Sequence, residues 1–351
     1  MTAVHQFHPV LAPGDAMSNH VFALRERIRG WGHPSEAYAV EVKSGVEAVP
    51  YRRLFRTARP EDTLILHFSI GNETFTQLAK VDARKILVYH NVTPPEFFAG
   101  INAHAASFAR LGRRQLAELV PHIGLAIGVS EYNRRELEAA GYAHTATIPI
   151  LIDWRNYDVE PDPGVLAAWA DGRPKLLFVG RVSPNKRQDE LIRLLAYYRR
   201  CIDADAQLLL VGSFRDQPQY HRRLRALARS LDLERAVTFS GPVSLAQLVA
   251  YYRVASVFLS LSEHEGFGVP LLEAMRFDLP VVALDAAAVG ETVGAAGVLL
   301  RSRDLAAAAE ACALVIERPE LRAGLVAAGR ARLLDFDPDA VAERTRAALG
   351  L

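Results

Sequence analysis

Residues 262–280 read SEHEGFGVPLLEAMRFDLP, and this stretch decides how the rest of the chain is read. It sets Glu265 in a short glycine-rich turn and Glu273 seven intervening residues later, on a helix expected to open at Pro270. Gly266 and Gly268 have no Cβ, so their backbone can approach a ligand closely or take positive φ. Proline fits the first position of a helix, where free N–H groups attract anions. A diphosphate suits such a start. Glu273, on the first turn and pointing back over the helix start, suits a diol such as a ribose, and Glu265 on the turn reaches toward sugar hydroxyls. Taken in isolation, an EGFG tetrapeptide reads more readily as a solvated turn before an ordinary amphipathic helix, with Leu271, Leu272 and Met275 as its core face.

The flanks change that balance. Residues 255–261, ASVFLSL, and 279–284, LPVVAL, are short apolar runs fit for buried strands. Strand, glycine turn, helix and strand make a βαβ unit. In this setting the stretch closely resembles the signature of retaining family 4 glycosyltransferases, matching it at Glu265, Gly266, Phe267, Gly268, Pro270, Glu273, Ala274, Pro280, Val281, Val282 and Ala283. The resemblance implies an α/β chain of GT-B architecture, two doubly wound Rossmann-like domains facing a cleft. It further implies a nucleoside diphosphate sugar donor held on the second domain, an acceptor entering from the first, and transfer with retained anomeric configuration. Val269, between Gly268 and Pro270, belongs to the same expected donor-binding run.

A second motif lies upstream in KLLFVGRVSPNKR, residues 175–187. Gly180 permits a tight exit from an expected strand, Arg181 projects from its carboxyl end, and Lys186 stands at the lip of the next helix. An arginine binds phosphate oxygens bidentately and a lysine acts as a point charge, so the two suit a pyrophosphate clamp. The resemblance gives the matching positions the same task. Departure of a diphosphate needs its growing negative charge stabilised, and Arg181, Lys186 and the helix start at Pro270 supply that without a metal. No dedicated nucleophile is evident. Glu265 has the chemistry of a nucleophile and is a catalytic candidate, but the preferred reading makes it a sugar-hydroxyl ligand, with the leaving phosphate helping to accept the acceptor's proton.

The first half resembles the family in layout only. Its opening loop, GDAMSN, departs from the commonest double glycine. Gly14, Asp15 and Asn19 are the acceptor-side candidates there, with Ser18 or Asn19 expected to cap the following helix. Residues 35–42 alternate like one strand, and 49–58 suit a short helix. Two further strands end near His67 and His90, at the carboxyl ends where open α/β sheets keep their ligand crevice. A histidine after a strand of the first domain sits near the donor sugar in the resembled family, which makes His90 a catalytic candidate as a neutral imidazole; His67 is read as a strand cap. HNVTPPEFF resembles a variant found among polysaccharide-type members, with Asn91 and Thr93 on a loop stiffened by Pro94 and Pro95. Arg110, Arg113 and Arg114 share a helix, a basic face that suits a solvated surface or an anionic membrane.

These readings divide the chain into an acceptor-side domain at 1–152, a linker at 153–173 rich in proline, glycine and acids, a donor domain at 174–334, and a C-terminal helix at 335–351 that returns to the first domain. With 351 residues, half of them apolar, the chain can fill two cores. A formal net charge of +1 offers no bulk attraction to nucleic acid. Cys201 and Cys312 lack a metal-like spacing and make no disulfide framework. The opening residues lack a secretory pattern and no run reaches the length of a membrane helix, so the expected setting is cytoplasmic, with contact at the inner face of the membrane open. Asp203 with Asp205, and Asp335, Asp337 and Asp339, fit the Asp-x-Asp spelling of metal-dependent transferases, yet they fall in turns away from strand carboxyl ends and read as caps. Neither metal nor cofactor is expected. Glu291 reads as a structural cap before a short helix. Two other functions share the architecture: a sugar-nucleotide epimerase, which needs no acceptor, and a non-enzymatic two-domain sugar-binding protein.

Overall fold

Runs such as TLILHF and QLLLV carry no polar–apolar alternation, and each forms a strand buried along its whole length. That is the pattern of parallel strands covered on both faces by helices. The computed structural model describes residues 2–351 and divides into two units. The first comprises 1–99, 103–154 and 336–351, and the second 100–102 and 155–335.

In the first unit the strands are β1 (Val4–Phe7), β2 (Val10–Leu11), β3 (Ala37–Ala39), β4 (Glu41–Val42), β5 (Val49–Pro50), β6 (Thr63–Phe68), β7 (Arg84–Tyr89), β8 (Leu125–Gly128) and β9 (Thr145–Thr147). Seven of them form a parallel sheet in the order β5-β3-β1-β6-β7-β8-β9, while β2 and β4 pair separately. Residues 35–42 are thus two short strands serving two sheets. Residues 49–58 begin as an edge strand and then turn helical, as a 3₁₀ turn at Tyr51–Arg53 followed by an α-helix at Leu54–Thr57. Phe7, Leu66, Phe68, Phe75, Leu87 and Tyr89 centre the core. The helix Ala16–Gly30 is capped by Asp15, whose Oδ2 accepts the Ser18 N–H at 3.1 Å. This corrects the expectation that Ser18 or Asn19 caps it; both lie in its first turn because the carboxylate one residue before the helix reaches its free N–H groups first.

The second unit holds β10 (Lys175–Val179), β11 (Gln207–Val211), β12 (Val237–Gly241), β13 (Val257–Ser260), β14 (Val281–Leu284) and β15 (Gly297–Leu300), all parallel, in the order β12-β11-β10-β13-β14-β15. Counted within the unit this is 3-2-1-4-5-6, the doubly wound order of dinucleotide-binding sheets. Residues 153–173, read from sequence as a linker, are folded: Trp154–Tyr157 form a 3₁₀ turn, Tyr157 is buried, and Asp162 caps a helix at Pro163–Ala168. The last helix, Pro338–Leu349, belongs to the first unit. There the Arg84 guanidinium donates to the Leu349 carbonyl at 2.7 Å and Arg27 pairs with Asp339 at 2.6 Å.

The helix Ala103–Glu118 carries the expected arginine cluster but does not present it whole. Arg113 turns inward, donating to the Val92 carbonyl at 2.6 Å and to Glu136 at 3.0 Å, which leaves Arg110 and Arg114 exposed. The same helix meets the loop after β6 glycine to glycine: a Cβ on Gly71 would stand 2.3 Å from the Gly112 nitrogen and 2.6 Å from the Phe108 carbonyl. Backbone on both sides leaves nothing flexible to yield, and overpacking of this kind costs about 1–3 kcal/mol or more. Gly71→Ala is expected to lower the urea midpoint accordingly, whereas Gly30→Ala, at a position with no atom within 4 Å of the new methyl, is expected to leave it unchanged or raised.

Candidate functional site

In the second unit the strand order reverses between β10 and β13, which pair with each other. Loops leaving the two strands diverge to opposite faces of the sheet, opening the crevice in which such folds hold ligands. Both motifs singled out in the sequence lie there, residues 180–187 after β10 and 262–268 after β13. They are fastened together. The Glu263 N–H donates to the Asn185 carbonyl at 2.9 Å, and the Asn185 amide donates to the His264 carbonyl at 3.0 Å. Lys186 reaches across to Glu265, Nζ to Oε2 at 2.5 Å, with the two side chains only 20% and 16% exposed. That partial burial limits screening by salt, so the pair is a firm contact rather than a surface ion pair. Behind it, Arg187 holds Glu190 at 2.5 Å and Glu263 at 3.4 Å, and Arg303 also contacts both carboxylates.

The glycine turn leads into the helix Val269–Arg276 through Gly268, whose φ of +95° only glycine adopts without strain. Thr292 steadies the turn, its hydroxyl donating to the Phe267 carbonyl at 2.6 Å, and the Ala288 N–H donates to the Glu265 carbonyl at 3.2 Å. Glu265, Gly266, Gly268 and Pro270 are partly exposed, while the Phe267 and Val269 side chains are buried, so only backbone is offered at those two positions. Gly180 stands at the exit of β10. Arg181 follows it with an exposed side chain, its guanidinium 3.8 Å from Asp216.

Glu273 falls at the start of the second turn of this helix, one position later than expected, because the helix begins at Val269 rather than Pro270 and Glu273 is its fifth residue. It is buried, and both oxygens are engaged: the Tyr157 hydroxyl donates to Oε1 and the Tyr252 hydroxyl to Oε2, each at 2.5 Å. Burial pushes its carboxyl above the ordinary range, and the two tyrosine hydrogen bonds oppose that rise. Each carboxylate oxygen retains a second lone pair, so the tyrosines orient the group without exhausting it.

In the first unit the reversal falls between β1 and β6. Gln6, on β1, and His67, on β6, meet there, and the side chain of His8 bonds that of Ser69 at 3.1 Å across the crevice. His67 is fully buried and bonded to His90, Nδ1 to Nε2 at 3.0 Å, so it is not the strand cap expected from sequence. His20 joins them, its ring centroid 5.3 Å from that of His67 and 5.5 Å from that of His90. Among the described residues these three histidines form the group whose ring nitrogens, within 4.8 Å of one another, come nearest to a metal-ligating set. Burial lowers all three, His20 to about 4, so the rings are neutral at neutral pH.

Asn91 follows His90 with φ +80° and is buried, its amide donating to Asn133 at 2.8 Å and Glu136 at 2.7 Å; it holds the loop rather than lining an open pocket. Thr93 is half-buried on the same loop. Gly14 takes φ +72°, Asp15 is the helix cap, and Asn19 is exposed on the first turn. The Asp-x-Asp residues act as caps or pairs: Asp203 accepts the Asp205 N–H at 2.8 Å, Asp337 caps the last helix and Asp335 meets Arg332 at 2.6 Å. Glu291 and Thr292 lie inside the short helix Val289–Val293 rather than before it. Sequence reading missed Asn185, Tyr157, Tyr252, Gln6 and His20. Of these only Asn185 lay within a recognised motif; the others reach the sites from distant segments with no local signal.

Comparison with known proteins bears on the family and the fold. Residues 167–332 match the model of the family described as Glycosyl transferases group 1. Over 272 residues the chain is 30% identical to the D-inositol 3-phosphate glycosyltransferase of Kineococcus radiotolerans, covering 67% of this chain and 58% of that protein. It is 29% identical over 217 residues to the GDP-mannose-dependent alpha-(1-6)-phosphatidylinositol monomannoside mannosyltransferase of Mycobacterium tuberculosis, covering 58% of this chain and 55% of that one. The chain therefore spans a little over half the length of these two curated relatives. A crystal structure of Anabaena Alr3699/HepE in complex with UDP and glucose has the same fold, with a TM-score of 0.81 at 19% identity over 100% of both chains. Residues 167–332 thus match the group 1, family 4-like glycosyltransferases, and the two doubly wound units have the GT-B fold.

Proposed function

We propose that this protein transfers a sugar from a nucleoside diphosphate sugar to a hydroxyl of a glycan or lipid-linked acceptor, with retained configuration, in the assembly of a bacterial surface polysaccharide. The observation that carries this reading is the joining of Lys186 and Glu265 at the switch point of the second unit, beside the start of the helix Val269–Arg276. A cation, a helix start and a sugar-facing carboxylate within one crevice suit the two ends of a nucleotide sugar. The relatives support the donor class, one being GDP-mannose-dependent and a structural neighbour holding UDP and glucose. The polysaccharide setting rests on the resemblance of HNVTPPEFF, residues 90–98, to polysaccharide-type members.

In the reaction the bond between the anomeric carbon and the diphosphate oxygen breaks, and a bond from the acceptor oxygen to that carbon forms on the same face. The diphosphate leaves with the electron pair, and its oxygen takes the acceptor's proton. Lys186 and the helix start stabilise the departing charge, aided by Arg181 when its exposed side chain swings onto the phosphates. Glu265 holds sugar hydroxyls and Glu273 the ribose, the latter aimed by Tyr157 and Tyr252. No group in this scheme requires a metal. No helix among the described residues is long and apolar enough to cross a membrane. A lipid-linked acceptor would therefore be met at a surface, where Arg110 and Arg114 offer positive charge.

Thermal-shift screening against nucleoside diphosphate sugars, followed by product analysis with hydroxyl acceptors, tests the reading. Release of an epimerised nucleotide sugar without acceptor would replace it. Arg181→Ala is expected to lower kcat about tenfold or more with an unchanged melting temperature, since its side chain makes no buried contact. The pair Tyr157→Phe and Tyr252→Phe removes the hydrogen bonds that oppose the upward shift of Glu273, so the carboxyl rises further. Donor affinity, measured by calorimetry, is then expected to fall as pH drops, at a higher pH than in the unsubstituted protein.

A further inference from the structure

The histidine group in the first unit is joined by hydrogen bonds that leave one assignment of protons. The Gln6 amide nitrogen donates to the Val21 carbonyl at 3.0 Å, and a carbonyl only accepts, so the amide cannot be reversed. Its Oε1 therefore faces His67 Nε2 at 2.9 Å, and that nitrogen must carry the proton. Neutral His67 then has a bare Nδ1, which faces His90 Nε2 at 3.0 Å; the proton between them belongs to His90. With Nε2 protonated, His90 keeps a bare Nδ1, and this atom is buried without a hydrogen-bond partner. His20 is settled independently, since its Nδ1 accepts the Leu151 N–H at 2.9 Å.

We propose that Gln6 and His67 are positioning residues whose hydrogen bonds fix the tautomer of His90, so that its bare Nδ1 accepts a hydrogen bond from a substrate hydroxyl. The inference rests on the reading of the protein as a glycosyltransferase with His90 at its substrate. An unpaired buried acceptor is costly, and an O–H group is the partner that removes the cost. The place fits, because the crevice between β1 and β6 is where a doubly wound sheet admits a ligand. A cationic imidazole is disfavoured among three neighbouring histidine rings, so His90 stays an acceptor rather than a second donor. A metal ion between His67 and His90 fits less well. It would require the His90 proton on Nδ1, a buried donor without an acceptor, and the acceptor nitrogen of His20 is already occupied by the Leu151 amide.

Long-range 1H–15N spectra of histidine-labelled full-length protein read the tautomers without requiring turnover, and so separate failure of the relay from failure of the proposed activity. His67 and His90 are both expected as single Nε2–H tautomers. His67→Leu, and independently Gln6→Ala should that variant not fold, are expected to replace the single His90 tautomer by a mixture. His67→Gln, which can still present an acceptor to Nε2, is expected to restore it. With a working donor and acceptor pair, kcat is expected to fall roughly tenfold to a hundredfold in His67→Leu, with KM for the nucleotide little changed and recovery in His67→Gln. A proton on His90 Nδ1 in the unsubstituted protein, an unaltered His90 tautomer in both disrupting variants, or stoichiometric shifts of His67 and His90 on adding Zn2+ would each overturn the proposal.

Discussion

Parallel pairing between β10 and β13 is the constraint on which the second unit's chemistry depends. A parallel neighbour can be reached only by a crossover, and a sheet that winds first to one side and then to the other must place two diverging loops at the point of reversal. Here those loops carry Lys186 and Glu265. Asn185 then converts adjacency into fixed geometry, because its backbone and side chain both bond the partner loop. The first unit repeats the arrangement with different chemistry, histidines and a glutamine replacing the lysine and carboxylate. One topological rule thus supplies both crevices, and the local sequence decides what each can hold.

The two crevices treat charge in opposite ways. In the second unit a cation and an anion neutralise one another at partial exposure. In the first unit the buried rings remain neutral and recognition depends on which nitrogen carries a proton. Glu273 stands between these cases, a buried carboxylate kept in place by two hydroxyl donors rather than by a cation. Such a group keeps its orientation without a counter-ion.

Much of this was legible in the chain. The apolar runs gave the strands, and the glycines and proline of residues 262–280 located the turn and the helix start, because those residues act through their own backbone. Glu265 and Lys186 were also found, as members of local motifs, although their mutual contact was not. What remained hidden was non-local. Nothing around Tyr252 or Tyr157 marks either as a partner of Glu273, and Gln6 meets His67 only because β1 and β6 are neighbours in the sheet. Helix boundaries failed for a simpler reason: Asp15, three residues ahead of the first expected cap, Ser18, takes the free N–H groups of the helix start. The folded character of residues 153–173 was obscured because prolines and acids mark caps of short helices as readily as they mark linkers.

The return of the last helix to the first unit has a consequence for how the chain is made. Arg84 bonds the Leu349 carbonyl, and between those two residues lies the entire second unit. On the ribosome the amino-terminal sheet is synthesised first, yet the helix that belongs to it emerges only after the second unit. The second unit, apart from the short segment 100–102, is continuous in the chain and can close its core while the first still lacks a part. Order of synthesis and order of completion are therefore reversed between the two halves of this protein.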